Sequence, residues 1–141
     1  TWRVLQRVRE LIHLRPWLPV RVDYLAFWPA FFWGSFLHDF GKSAYGFQAA
    51  LRKGGNWPHR HEVLSLAFLT WLDGSLDNTA LQWVACTILS HHKDAEEISR
   101  LYYVVEDDEE DPLHDCVSSI QETDFHGLYL WLTECSSSWI H

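Results

Sequence analysis

Apolar residues recur at three- and four-residue spacing along nearly the whole chain, which is the pattern of amphipathic helices. No segment shows sustained two-residue alternation, and no turn of the Asn-Gly or Asp-Gly type joins two strand-like runs. The sequence therefore predicts an all-α bundle of about six or seven helices. Helices are predicted over residues 2–14, 22–39, 45–53, 60–72, 79–92 and 94–105, with a last apolar stretch over 113–134.

Length and composition fit a single globular domain spanning residues 1–141, of which 48% are apolar and 21% charged. No run of uncharged apolar residues is long enough to cross a membrane. The three cysteines form no CxxC pair, which favours a cytoplasmic protein over a disulfide-stabilised one. Because the chain contains no methionine, we expect it to be a trimmed part of a longer polypeptide.

Charge is distributed unevenly along the chain, whose formal net charge is −8. Residues 1–60 carry about +6 and residues 61–141 about −14 in the usual side-chain states. The acidic run 106–111, with sequence EDDEED, reads as a solvated loop rather than a binding device. A polyanion could bind the basic half, so the mean charge does not exclude nucleic acid as a partner.

The aromatic helix predicted over residues 22–39 ends in a histidine and an aspartate, His38 and Asp39, which continue its buried stripes. Burying an unpaired carboxylate costs several kcal/mol, so Asp39 needs a partner, solvent or a cation. Three more histidines lie at the ends of apolar stripes: His61 in 60–72, and His91 and His92 in 79–92. One such histidine is more often a core residue bonded to a carbonyl, but this many together favour a metal site.

His-Asp pairs alone carry no information, because chance predicts about 0.6 of them at this composition. Two occur, at residues 38–39 and 114–115. The second pair follows an acidic run and Pro112 and lacks the Gly-Lys that follows the first. We interpret it as accidental.

Three short motifs carry a specific resemblance: HDFGK over residues 38–42, RHEVLS over 60–65 and SHH over 90–92. Leu37 before the first motif and Phe47-Gln48 after it extend the pattern. In this order the motifs resemble the HD phosphohydrolase superfamily, and within it the nuclease domain of the type I CRISPR nuclease-helicase. The similarity covers residues 37–92 and implies an HD-domain helical bundle.

The resemblance implies a site for two divalent metal ions, with manganese, nickel, cobalt, iron or magnesium as candidates. In that site Asp39 would bridge the ions, His38 would bind the first, and His61, His91 and His92 would bind the second. Lys42 would lie near the scissile phosphate, so Asp39 and Lys42 would be the catalytic residues. The family has two further ligands, for which His13 and Asp124 are the candidates.

The implied function is a metal-dependent nuclease that hydrolyses single-stranded DNA in CRISPR interference and antiviral defence. Its partners would be an RNA-guided effector complex and a helicase domain or subunit. The expected DNA-binding residues are Lys42, Arg52, Lys53 and Arg60. Two alternatives stay open: an HD phosphohydrolase of nucleotides or cyclic nucleotides, and an inactive HD docking module. No phosphate-binding Walker motif, esterase motif or dinucleotide motif occurs.

Overall fold

The computed structural model describes residues 1–92 and the single positions 96, 100, 126, 127, 129, 130, 133 and 134. Within this part every regular element is helical, which confirms the predicted all-α class. The helices are α1 (Trp2–Leu14), α2 (Leu18–Arg21), α3 (Phe27–Leu37), α4 (Tyr45–Lys53), α5 (His61–Ser65) and α6 (Asn78–Ser90). Two 3₁₀ segments lie between them, Phe40–Ser43 and Leu66–Leu72.

The predicted bounds of α1 and α4 are confirmed, but the predicted helix over 22–39 is too long at both ends. α3 begins at Phe27 and places Pro29 in its first turn, where a missing backbone N–H leaves no hydrogen bond unmade. It ends at Leu37, so His38 occupies its C-cap and Asp39 the start of the following turn.

The helix predicted over 60–72 is also corrected, because only its first part is an α-helix. After α5 the chain tightens into the 3₁₀ segment Leu66–Leu72. The change follows Ser65, whose hydroxyl donates back to the carbonyl of His61 over 2.9 Å. Such bonds to the preceding turn bend helices.

Asp77 caps α6, since its Oδ1 accepts a hydrogen bond from the backbone nitrogen of Ala80 at 2.8 Å. α6 ends at Ser90, so His91 and His92 lie just past its last turn rather than inside it. The helices predicted over 94–105 and 113–134 lie outside the described residues, apart from single helical positions.

The chain predicted as one domain divides into two compact units, and the first comprises residues 1–42 and 58–104. In it α3 packs against α6 and α1, and α5 also contacts α6. A Cβ atom on Gly34 would lie 2.5 Å from the Cβ of Thr87, so α3 and α6 approach more closely here than a larger residue would allow. The largest fully buried apolar side chains of this unit are Phe36, Phe68, Leu37, Leu64, Ile88 and Val84.

The second unit comprises residues 43–57 and 105–141. Its described part consists of α4, the loop that follows it, and single helical positions from 126 onward. Trp57 at the end of the loop lies edge-on to Phe47 of α4, with ring centroids 6.5 Å apart. No helix in the described part of either unit is long and apolar enough to cross a membrane.

Candidate metal centre

The carboxylate of Asp39 lies in the turn after α3, in the first unit, and is 28% exposed. Its Oδ1 accepts a hydrogen bond from Lys42 Nζ at 2.7 Å. The carboxylate that follows the apolar helix therefore forms an ion pair with a lysine three residues later in the chain. This ion pair neutralises part of the charge of Asp39, and imidazole rings lie around the carboxylate.

Four histidine Nε2 atoms form one cluster with the Asp39 carboxylate. His38 Nε2 lies 3.4 Å from Oδ2, while His61 Nε2 lies 3.2 Å and His91 Nε2 4.0 Å from Oδ1. His92 joins through its Nε2 atom, which lies 3.3 Å from His61 Nε2. The ends of α3 and α6 and the start of α5 thus bring together five residues from three separate motifs.

Backbone carbonyls orient two of these rings. His38 Nδ1 lies 2.7 Å from the carbonyl oxygen of Ser35, and His91 Nδ1 lies 2.5 Å from that of Ile88. Because a carbonyl oxygen only accepts, each Nδ1 donates and carries the ring proton there. The other nitrogen, Nε2, is left to face Asp39, which is the arrangement found for histidines that bind metals.

Burial sets the charge state of the cluster. It lowers the pKa of His38, and together with the nearby Lys42 ammonium it lowers the pKa of His61 to about 4. Burial opposes the ionised form of Asp39, but the Lys42 hydrogen bond and His38 outweigh it and hold the pKa of this carboxyl below its usual value. At neutral pH His38 and His61 are therefore neutral and Asp39 is ionised, the ligand states that a divalent transition metal requires.

Within the described part of the chain, His61, His91 and His92 form the group that could hold an ion, since each offers one ligand atom and these atoms lie within 4.8 Å of one another. His38 and Asp39 do not belong to this group of three. Among the described residues, the buried His91 Nε2 has no hydrogen-bond partner. Leaving a buried polar atom without a partner costs free energy, and a bound cation would remove that cost. The residues present therefore fit a divalent metal ion.

A close backbone approach holds the turn after α3 against α5. A Cβ atom on Gly41 would lie 2.0 Å from the carbonyl oxygen of His61, so only glycine fits at this position. The Ser65 hydroxyl accepts a hydrogen bond from the Gly41 backbone nitrogen at 2.8 Å. The glycine and the serine of the first two motifs thus have a structural role in the site.

Glu62 and Arg60 form an ion pair beside the cluster. The Glu62 side chain is fully buried, and its Oε1 lies 2.6 Å from Arg60 Nε and 2.5 Å from Arg60 Nη2. Burial is the largest influence on Glu62 and opposes its ionisation, but the Arg60 hydrogen bond, a backbone hydrogen bond and the charges of Arg60 and His61 together outweigh it and lower the pKa of this carboxyl. The sequence pattern groups Arg60 with the expected DNA-binding residues and assigns no role to Glu62. The available signal was the position of Glu62, three residues before buried Ser65 on the same helix.

The remaining predicted site residues lie elsewhere. Arg52 and Lys53 are exposed in the last turn of α4, in the second unit. His13 is exposed on α1 and does not belong to the histidine group that could hold an ion. Asp124 and the His114-Asp115 pair lie outside the described residues.

The chain matches no protein-family model, no curated protein and no solved structure. Its relation to the HD superfamily therefore stays a prediction from the three motifs between residues 37 and 92.

Proposed function

We propose that this chain is a metal-dependent nuclease of the HD type that hydrolyses phosphodiester bonds in single-stranded DNA. One observation carries the proposal: four imidazole Nε2 atoms cluster with the carboxylate of Asp39, and Lys42 lies at its edge. Divalent ions bound there would polarise a phosphodiester and lower the pKa of water.

The two oxygens of Asp39 support its assignment as the bridging ligand. Oδ2 faces His38, whereas Oδ1 faces His61 and His91. These three histidines are thereby divided between the two oxygens in the same way that the motif resemblance divides them between two metal ions, whereas His92 lies beside His61. Two ions about 4 Å apart are the usual arrangement for phosphodiester hydrolysis.

Lys42 is the residue proposed to bind the scissile phosphate. Its side chain is 38% exposed, and its ammonium lies 2.7 Å from the carboxylate that would bridge the ions. A phosphate oxygen arriving at the site would therefore meet a cation already held in place. Ser65 is unsuited to act as a nucleophile, because its hydroxyl is engaged by backbone groups of Gly41, His38 and His61.

The proposed substrate follows from charge and from the motif resemblance. Arg52 and Lys53 are exposed, as are the arginines of α1, so cations are available to contact a phosphate backbone. Arg60 pairs with buried Glu62, so it is less available to a phosphate than Arg52 and Lys53 are. In the proposed setting, a cytoplasmic RNA-guided effector complex exposes the single strand and a helicase supplies it to the nuclease.

The test combines metal analysis with cleavage. The chain is stripped with a chelator, reloaded with Mn²⁺, Mg²⁺, Ni²⁺ or Co²⁺, and analysed for metal content by mass spectrometry and for degradation of labelled single-stranded DNA. We expect bound transition metal and metal-dependent cleavage, both lost in Asp39→Asn. Asp23→Asn is the matched control, since Asp23 is exposed and asparagine tolerates its φ of 53°.

Each alternative predicts a different result. Metal binding with hydrolysis of free nucleotides but not of DNA would replace the nuclease with a small-molecule phosphohydrolase. A chain that binds no metal and cleaves neither substrate would be a docking module. If Asp39→Asn kept more than about a tenth of the wild-type cleavage, the bridging role of this carboxylate would be wrong.

A further inference from the structure

An indole ring of the first unit, that of Trp17, is exposed to solvent between two arginines. Trp17 is 48% exposed, and the Cζ atoms of Arg15 and Arg21 lie 5.8 and 5.9 Å from its ring centroid. Both distances are close to the outer limit of about 6 Å for a cation–π contact, so neither guanidinium is packed tightly on the ring. The indole therefore presents an aromatic surface to solvent with a positive charge on each of two neighbouring side chains.

The backbone fixes this arrangement. Arg15 is the C-cap of α1, and Pro16 ends that helix because its ring cannot continue the hydrogen-bond ladder. Pro19 is buried in the first turn of α2 and anchors this short helix to the unit. The backbone nitrogen of Arg21 donates to the carbonyl oxygen of Trp17 at 3.2 Å, which places Arg21 one turn after the tryptophan.

Both guanidiniums keep their charge available to a ligand. Among the described side chains, no carboxylate forms an ion pair with Arg15 or Arg21, and Arg15 donates a hydrogen bond to the carbonyl of Leu14 at 3.3 Å. Arg7 on α1 differs from them, since it is paired with Glu10. A guanidinium without a carboxylate partner is the side chain best suited to bind a phosphate with several N–H groups at once.

The combination of ring and charges favours a nucleic-acid strand over a protein as the occupant of this surface. Three apolar side chains of the same stretch are also exposed, those of Leu14, Val20 and Leu25, and an apolar surface can also bind a protein. A protein ligand would give no reason for two unpaired cations beside an aromatic ring. Single-stranded DNA alternates phosphates with bases, so it uses both kinds of group at once.

We infer that Trp17, Arg15 and Arg21 form a binding subsite for single-stranded DNA, in which a base stacks on the indole and the guanidiniums contact neighbouring phosphates. The inference rests on the proposed nuclease function and adds a stacking contact to the cations of α4. None of the three residues belongs to the histidine group that could hold an ion, so their replacement should leave metal content unchanged.

DNA affinity in the presence of a chelator tests the stacking contact, because no strand is cleaved there. A labelled single strand of about 20 nucleotides is titrated with wild type, Trp17→Ala, Trp17→Phe and Leu25→Ala, and its fluorescence anisotropy is measured. We expect Trp17→Ala to weaken binding about 5- to 100-fold and Trp17→Phe to retain most of the affinity, since phenylalanine also stacks on a base. Leu25→Ala is the matched control, because Leu25 is an apolar side chain of the same stretch that is 82% exposed.

Unchanged affinity in Trp17→Ala would overturn the subsite, and so would a wild-type chain that binds no single strand. A loss in Leu25→Ala equal to that in Trp17→Ala would also overturn it, because the surface would then bind through apolar area alone.

A strand of the same length without bases separates stacking from charge. Wild type and Trp17→Ala should bind this abasic strand equally, because it has no base to stack on the indole. Arg15→Gln/Arg21→Gln should instead weaken binding of both strands and reduce the slope of log K against log salt by about 1.4. A loss in Trp17→Ala that is as large on the abasic strand as on the ordinary one would refute the base stack.

Cleavage is assayed separately in the presence of metal, so that the subsite and the nuclease can fail independently. If Trp17→Ala weakens DNA binding but wild type cleaves no DNA with any metal, the nuclease proposal fails and the subsite stands. If wild type cleaves DNA and Trp17→Ala binds the strand as tightly as wild type does, the subsite is wrong and the nuclease stands.

Discussion

The hydroxyl oxygen of Ser65 lies 2.8 Å from the backbone nitrogen of Gly41, which is 24 residues earlier in the chain. The same oxygen lies 3.0 Å from the carbonyl oxygen of His38 and 2.9 Å from that of His61. One hydroxyl has a single proton, so it accepts from Gly41 and donates to one carbonyl at a time. A buried serine thereby connects the backbone of two segments that carry candidate metal ligands.

Ser65→Ala should lower the free energy of unfolding by about 1–3 kcal/mol, because the buried Gly41 N–H loses its acceptor. Urea denaturation of the metal-free chain measures the change. Ser75→Ala is the control, since Ser75 is exposed in the turn after Leu72. Equal stability of the two variants would show that the Ser65 bonds contribute nothing net.

Gly41→Ala should disturb the site more than the fold around it. The new Cβ would lie 2.0 Å from the carbonyl oxygen of His61, so the turn and the start of α5 must move apart. We expect a loss of roughly 1–3 kcal/mol in stability and weaker Co²⁺ binding. Gly127→Ala is the control, since a Cβ there would have no neighbour within 4 Å among the residues that the structure describes. Wild-type cobalt affinity in Gly41→Ala would mean that the contact does not position His61.

The helical periodicity predicts which segments bring the cluster together, although not the exact bounds of their helices. It places His38, His61 and His91 at helix ends on buried stripes, and each lies at a helix end with an imidazole that is mostly buried. Periodicity reports the face of a residue, and side chains on facing sides of helix ends come together as a cluster. That part of the site could therefore be predicted without knowing any distance.

The partners of individual polar groups could not be predicted in the same way. Arg60 precedes α5 and could equally have pointed to solvent, so nothing in the spacing indicated its bond to buried Glu62. The contact between Ser65 and Gly41 depends on how two segments cross, which sequence separation does not specify. Pairings between elements are set by packing rather than by local pattern.

Acidification should destabilise the metal-free chain. His61 has a folded-state pKa of about 4, below its ordinary value near 6.5, so the unfolded chain binds more protons between these values. The free energy of unfolding should therefore fall as the pH drops through this window, and His38, with a lowered pKa, adds to the effect. The lowered pKa values of Asp39 and Glu62 extend the loss to more acidic solution.

Urea denaturation at a series of pH values measures this dependence. His61→Asn should show a flatter profile between about pH 6.5 and about pH 4, because the titrating imidazole is gone. A wild-type free energy of unfolding that stayed constant across the same range would contradict the burial of a neutral His61.

His114→Ala should leave metal binding and cleavage unchanged, because we interpret the His114-Asp115 pair as accidental. The comparison is His38→Ala, which removes an imidazole whose Nε2 lies 3.4 Å from the Asp39 carboxylate. Co²⁺ affinity of the two variants decides between the pairs. A loss in His114→Ala equal to that in His38→Ala would assign the second pair to the site.

The double reversal Arg52→Glu/Lys53→Glu should weaken binding of a single-stranded DNA oligonucleotide and leave metal content unchanged. Both side chains are exposed at the end of α4, and neither belongs to the histidine cluster. Each lost phosphate contact reduces the slope of log K against log salt by about 0.7, so the slope should become shallower by about 1.4. Affinity measured at several salt concentrations gives this slope directly.

Arg100→Glu is the control for a change of charge alone, since Arg100 is exposed and lies in the acidic part of the sequence. It should alter DNA affinity less than the double reversal does. Deleting residues 106–111 should leave cleavage intact or strengthen binding, because the acidic run repels DNA.

A small-nucleotide hydrolase would respond differently to the double reversal, because a closed pocket does not use exposed cations on α4. Unchanged affinity and an unchanged salt slope in the double reversal would refute the proposed DNA surface, whereas retained hydrolysis of free nucleotides would favour the phosphohydrolase alternative.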